Sequence, residues 1–368
     1  MLLPGHATPQ GTARYRDRFA ARLPGNYRES DRLWISSIGL GTYLGNPTSE
    51  VDDHYCEAIV RAAELGANVF DTAVNYRHMR SERAIGRALE TLIASGTLDR
   101  DEVVLATKGG FLSFDASSPQ DASAYFHEKL IAPGLVRPDE VVAGCHVMSP
   151  RYLAHQIDVS RANLGVETID IYYIHNPETQ LQEISREEFL RRLKAAFGAL
   201  EQAVADNKIR VYGTATWNGY RVAPESDEAI SLADVLRAAE EAGGSDHHFR
   251  AAQLPFNIAM PEALTASTQT VDGRRVPFLQ AARESRLMVF ASASLLQSRL
   301  TQGLPAEIAE RLPGFKTDAQ RSIQFVRSTP GITCALVGMS RRDHVQENLS
   351  TAAVPPLSLA DYKKIFQR

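Results

Sequence analysis

The chain has 368 residues, 44% hydrophobic and 23% charged, with a formal net charge of −4 and a pI near 6.2. That balance gives no electrostatic basis for binding nucleic acid, and the scattered Lys and Arg residues offer no basic arm for an anionic membrane. No apolar run is long enough to cross a bilayer, and Met1–His6 lacks the basic region and long apolar core of a secretory signal. Cys56, Cys145 and Cys334 are widely spaced, odd in number and without a CxxC pair. A disulfide framework is therefore not expected, and a cytoplasmic location fits best.

Residues 1–33 are polar and carry Pro4, Pro9 and Pro24, so they are expected to form an arm or hairpin over the floor of the fold. Strand-like runs follow at Trp34–Leu40, Ala67–Asp71, Val103–Lys108, Ile169–His175, Val211–Thr216, Ala251–Pro255, Leu287–Ala291 and Thr333–Gly338. Longer amphipathic segments lie between them, the clearest placing Phe189, Leu193, Phe197, Leu200 and Val204 on one helix face. Ser81 with Glu82, and Asp318 farther on, read as helix starts.

Eight strands alternating with helices imply a parallel sheet. Ionisable or polar residues close many of the strands, which favours a barrel feeding one mouth over an open sheet with a single switch point. Gly39-Leu40-Gly41-Thr42 is too sparse for a dinucleotide-binding glycine loop. The expected architecture is α/β: one (β/α)8 TIM barrel over 34–352, with the 1–33 arm and a C-terminal helix or tail at 353–368. A long loop insertion at 111–148, after the third strand, is expected on the catalytic side, covering the substrate.

The residues that carry chemistry sit at strand ends. Asp71 closes the second strand, Tyr76 follows on its loop, Lys108 closes the third and His175 the fourth. Reducing a carbonyl by hydride requires a proton for the developing alkoxide. Tyr76 is the candidate acid, and a free tyrosine has a pKa of about 10. An ammonium at Lys108 is expected to lower that value, Asp71 to neutralise the buried lysine, and His175 to orient the carbonyl oxygen. His127, Cys145-His146 and His247-His248 lack the paired spacing of a zinc site, so no metal is expected, and Cys145-His146 lacks an orienting partner for a nucleophile.

From Ile35 to Leu349 the chain resembles the aldo-keto reductases. The segments that carry the resemblance are Ser37–Thr42, Gly66–Leu89, Thr107-Lys108, Asn163–Val166, Asp170–Pro177, Asn207–Gly213, Val337-Gly338 and Glu347–Leu349, in that order. The resemblance implies that Asp71, Tyr76, Lys108 and His175 form the family's catalytic tetrad, acting on a small-molecule carbonyl or alcohol.

It also implies a nicotinamide cofactor held by Gly41, Thr42, Thr216, Gln253, Ser292, Leu295, Gln297, Gly338, Ser340, Arg341, Glu347 and Asn348. Ser340 and the Arg341-Arg342 pair before a helix suit a phosphate monoester, favouring NADPH over NADH. Two positions depart from the family. A Ser-Asn pair reads Ala215-Thr216, and the ring that stacks on the nicotinamide is expected at Ala291, with Trp217 or Phe256 as substitutes. The alternatives to a reductase are a proton-transfer enzyme on the same barrel and a cofactor-binding regulatory subunit resembling the potassium-channel beta subunits.

Overall fold

The computed structural model describes residues 2–366. Eight parallel strands close into a barrel in sequence order: β1 (Ile38–Gly41), β2 (Val69–Asp71), β3 (Val104–Gly109), β4 (Ile169–His175), β5 (Ile209–Ala215), β6 (Phe249–Pro255), β7 (Met288–Ser292) and β8 (Cys334–Gly338), which pairs back onto β1. Successive side chains on a strand alternate between faces, and the alternation separates two cores. Val69, Val104, Ala106, Ile171, Tyr173, Val211, Ala251, Met288, Phe290, Cys334 and Leu336 fill the barrel interior. Ile38, Leu40, Phe70, Leu105, Tyr172, Ile174, Leu254, Val289 and Ala291 point outward against the helices.

Gly213 is required where β5 meets β6. An added Cβ would lie 1.9 Å from the carbonyl oxygen of Ala251, so any side chain there would push the two strands apart.

The helices form because each presents one apolar stripe. Arg186–Ala205 buries Phe189, Leu193, Ala196, Phe197, Leu200 and Ala203, while Ser185 caps its start by accepting from the Glu188 N–H at 3.2 Å. Each large apolar side chain on that face contributes about 1.5–3 kcal/mol of burial. Val204, expected on the stripe, is only partly buried at its edge.

The N-terminal segment closes the floor. It contains a helix, Pro9–Phe19, and an antiparallel hairpin of Tyr27–Ser30 with Leu33–Ser36. Ala7, Leu33 and Ile35 seal the interior core from below. The expected strand Trp34–Leu40 is thus two strands. The Ser37 N–H donates to Asn26 O at 2.6 Å, turning the chain between hairpin and barrel. A short helix, Leu359–Lys364, ends the described chain; residue 1 and residues 367–368 of the expected terminal segments lie outside the described residues.

The expected helix start at Ser81-Glu82 is met within one residue. The helix runs Arg80–Ala94, and Glu82 is fully buried, accepting from Thr107 Oγ1 at 2.7 Å and Asn163 Nδ2 at 2.8 Å. Asp318 does open its helix, behind the Thr317 cap. Cys56, Cys145 and Cys334 are free thiols. Among the described residues no cluster of His, Cys, Asp or Glu could hold a metal ion, and no helix is long and apolar enough to cross a membrane.

Candidate active site

Inward positions at or near the tops of the eight strands are Gly41, Asp71, Lys108, His175, Ala215, Gln253, Ser292 and Gly338. Seven of these were singled out from the sequence as site residues, and they meet at the C-terminal mouth, where barrel active sites are built. A cavity of about 490 Å³ opens there. Beside Asp71 and His175 it is lined by Tyr76, Thr42, Thr216, Gln253, Leu295 and Gln297.

Charge is concentrated in one network. Lys108 Nζ donates to Asp71 Oδ1 at 2.7 Å and to Thr72 O at 2.6 Å, and Gln253 Nε2 donates to Asp71 Oδ2 at 2.7 Å. Lys108 is 1% exposed and Asp71 5%, so neither charge can rely on solvent. Burial pulls Lys108 below its ordinary value and pushes Asp71 above its own, each opposed by the partner's charge. Gln253, expected only as a cofactor ligand, is therefore also the second anchor of Asp71.

Tyr76 stands beside this pair, its ring centroid 5.0 Å from Lys108 Nζ and 5.7 Å from the His175 ring. The expectation that Lys108 lowers its pKa is overturned. Burial, then the negative charge of Asp71 and then Tyr43, push the Tyr76 phenol well above its ordinary value. The ammonium is neutralised by a carboxylate at 2.7 Å, and what reaches the phenol is the weak field of a closed pair. Tyr76 is held as a neutral phenol. His175 is pulled well below its ordinary value by burial, then by Lys108 and His146, so it is a neutral imidazole, and its Nδ1 has no protein partner.

Immediately after Tyr76 the backbone is unusual. Arg77, His78 and Met79 have φ of 50°, 56° and 66°, three successive non-glycine residues in the left-handed region. Such a conformation costs about 1–2 kcal/mol per residue because Cβ crowds the following carbonyl. Met79 then precedes the helix Arg80–Ala94 without a side-chain cap.

The cofactor-side expectations divide. Gly41, Thr42, Thr216, Gln253, Ser292, Leu295, Gln297 and Gly338 line the cavity, and Thr216 Oγ1 is buried without a protein partner. Ser340, Arg341, Glu347 and Asn348 do not line it. Arg341 pairs with Asp343 at 2.9 Å, and Glu347 accepts from Thr317 Oγ1 at 2.6 Å. The expected stacking position does not face the cavity. Ala291 faces outward into the helix layer, and Ser292 is the β7 residue that meets the cavity. Phe256 cannot substitute, being fully buried against Phe325, whereas Trp217 lines the mouth.

The insertion leaves β3 at the mouth, as expected, but supplies little of the cavity wall. Of 111–148 only Phe111 lines the cavity; the remainder carries a short helix, Ala122–Phe126, and a small core in which Leu130, Val136 and Val147 pack with Tyr152 of the following helix. Its last residues do reach the site. The fully buried His146 donates from Nε2 to His175 O at 2.7 Å. A carbonyl only accepts, so the proton is on Nε2, and Nδ1 accepts from Gln180 Nε2 at 2.9 Å.

Sequence reasoning missed several residues here. Tyr43, Asn75 and Asn176 line the cavity one or two positions from named residues, a proximity that could have found them. Glu178 carried no such signal: its Oε1 accepts from the N–H groups of Trp217, Asn218 and Gly219 at 2.6, 3.0 and 3.3 Å, fixing the loop after β5.

The Aldo/keto reductase family model matches residues 37–230, more than half of the chain and all of β1 to β5. The chain belongs to the aldo/keto reductase family. It is similar to a D-threo-aldose 1-dehydrogenase of a Pseudomonas species, 28% identical over 209 residues covering 55% of each chain. It is 26% identical over 188 residues to an NADH-specific methylglyoxal reductase of Escherichia coli, covering 50% of this chain and 49% of that one. The matched region spans about half the length of these curated relatives. An aldo/keto reductase from Klebsiella pneumoniae, solved with NADP and acetate, superposes with a TM-score of 0.61 at 20% identity, covering 93% of this chain and 94% of that one. This last likeness speaks for the shared barrel.

Proposed function

We propose that this aldo/keto reductase is an NADPH-dependent oxidoreductase that interconverts an aldehyde or ketone and an alcohol. The observation that carries the reading is the Lys108–Asp71–Gln253 network beside a neutral phenol and a neutral imidazole at one cavity.

The residues present fit a nicotinamide cofactor. Gly41 and Gly338 are register partners on β1 and β8 and offer bare backbone, where an added Cβ would meet nothing closer than 3.7 Å. A flat group can lie against them, and the orphaned Thr216 Oγ1 supplies a hydrogen bond. The nicotinamide, when bound, supplies the hydride.

The chain's own groups then handle the proton. Tyr76 donates its phenolic proton to the carbonyl oxygen as charge develops there, and solvent later restores it. The Tyr76 phenol keeps its proton throughout the neutral range, and its raised value makes it the weaker acid, so transfer waits on the basicity of the developing alkoxide. His175, being neutral, can donate a hydrogen bond to the same oxygen without adding charge. Asp71 and Lys108 set a fixed field behind both. Ser340, Arg341 and the helix that follows favour the 2′-phosphate of NADPH, which would displace Asp343 from the Arg341 guanidinium.

Loss of NADPH absorbance with 4-nitrobenzaldehyde tests the reading. Turnover with NADPH, and weaker turnover with NADH, is expected. Cofactor binding without turnover across an aldehyde and ketone panel would favour a regulatory subunit, and absence of binding a proton-transfer enzyme.

A further inference from the structure

The 111–148 insertion contributes one side chain to the cavity, yet its first residues pack against the strained turn that follows Tyr76. We propose that this segment is a brace: it holds Arg77–Met79 in the left-handed conformation and thereby places the Tyr76 phenol. The inference rests on the reading of Tyr76 as the proton donor.

Three consecutive non-glycine residues do not stay left-handed by preference; the surrounding structure must over-determine them. One side of that restraint is the helix Ser49–Glu64. Asp52 bonds Arg77 and Arg80 at 2.5 Å each, while Arg77 also reaches Asn46 O and Thr48 O.

The other side is the insertion. The Ala116 N–H donates to His78 O at 2.9 Å, and Arg80 Nε donates to Ala116 O at 2.9 Å, so a single residue both gives to and takes from the turn. Ser118 Oγ is 3.1 Å from His78 Nε2, and Ser113 Oγ donates to Val74 O at 3.2 Å. The Phe114 ring lies 5.5 Å from His78 and stacks at 4.8 Å on Phe126 of the insertion's own helix. The brace is therefore anchored through Phe126 in the insertion's small core. Phe114 and Ser113 act through Tyr76 and are positioning residues.

The test pairs Phe114→Ala with Met79→Gly, since glycine adopts the left-handed conformation without a brace. Phe114→Ala is expected to lower kcat with 4-nitrobenzaldehyde about tenfold, leaving the Kd for NADPH largely unchanged, because most of the cofactor-side lining (Thr216, Ser292, Leu295, Gln297 and Gly338) comes from β5, β7 and β8 and the loops after them. Hydrogen exchange in residues 74–80 should rise, and that in 288–298 should not. Combined with Met79→Gly, the kcat loss should shrink to roughly threefold or less. Ser113→Ala, a milder cut, should move both readouts in the same direction.

Unchanged exchange at 74–80 in both variants, or an equal loss of NADPH affinity, overturns the brace. Faster exchange at 74–80 with kcat unaltered leaves the brace standing and removes Tyr76 from the donor role.

Discussion

The β2–β4 side of the mouth and the β5–β8 side share one barrel but are built from opposite kinds of residue. On the first, Lys108 is bonded to Asp71, the Tyr76 and His175 rings pack beside the pair, and Gln253 reaches across to Asp71. On the second, Ala215, Thr216, Ser292 and Gly338 are small and uncharged, and present open lining. Buried charges must be held by partners fixed in advance, so the first side cannot be altered one residue at a time without penalty. The second side awaits its partner, and changes there should alter affinity alone.

The largest effect should come from Tyr76→Phe. Removing a positioned acid costs roughly 10²–10⁴-fold in rate, and the ring, Lys108 and Asp71 stay in place. Single-turnover kinetics with NADPH should show that loss with the cofactor Kd unchanged. Retained activity would mean another group delivers the proton.

Lys108→Met comes next, as a stability effect. The variant leaves the Asp71 carboxylate buried with Gln253 alone, a situation that costs about 3–5 kcal/mol. Urea unfolding should report it. Thr216→Ala, across the mouth, should unfold close to the wild type, because no protein group bonds its hydroxyl.

The third effect is pH dependence from His146, whose pKa burial lowers from 6.5 to about 4. The folded protein then holds fewer protons than the unfolded chain between those values. Its contribution is complete above pH 6.5 and is lost as pH falls toward 4, by roughly 3 kcal/mol in all. Melting temperatures at pH 7 and pH 5 should differ more for the wild type than for His146→Gln. Equal differences would place the acid sensitivity elsewhere.

The two sides were also unequally legible in the sequence. Asp71, Lys108 and His175 close apolar strands, and the period-two alternation that makes each strand fixes them inward. Their meeting follows from the barrel once the strands are found. Tyr76's presence was readable and its electrostatics were not. Asp71 was expected to neutralise Lys108, and it does; how far burial and the Asp71 charge outweigh the ammonium at the phenol is a matter of ångströms that no spacing encodes. The β7 assignment failed for a related reason: a one-residue error in register turns a cavity residue into a helix-facing one, and Ala291 and Ser292 are equally compatible with the local pattern. The role of 111–148 was hidden because it depends on main-chain groups of Ala116 and His78, which any residue type would supply.

The smallest expected effect separates those two β7 positions. Ser292 points into the cavity on the open side, and its hydroxyl makes no hydrogen bond to the protein among the described residues. A ring placed there can lie on the nicotinamide, and an aromatic stack contributes about 0.5–1.5 kcal/mol. Ser292→Phe should therefore tighten NADPH by roughly two- to tenfold in a fluorescence titration, with little change in unfolding. Ala291 is fully buried between β7 and the helices. There the same ring overpacks a filled layer, so Ala291→Phe should lose about 1–3 kcal/mol of stability and gain no affinity. Tighter binding from Ala291→Phe instead would put the nicotinamide on the other face of β7, and with it the whole assignment of the open side.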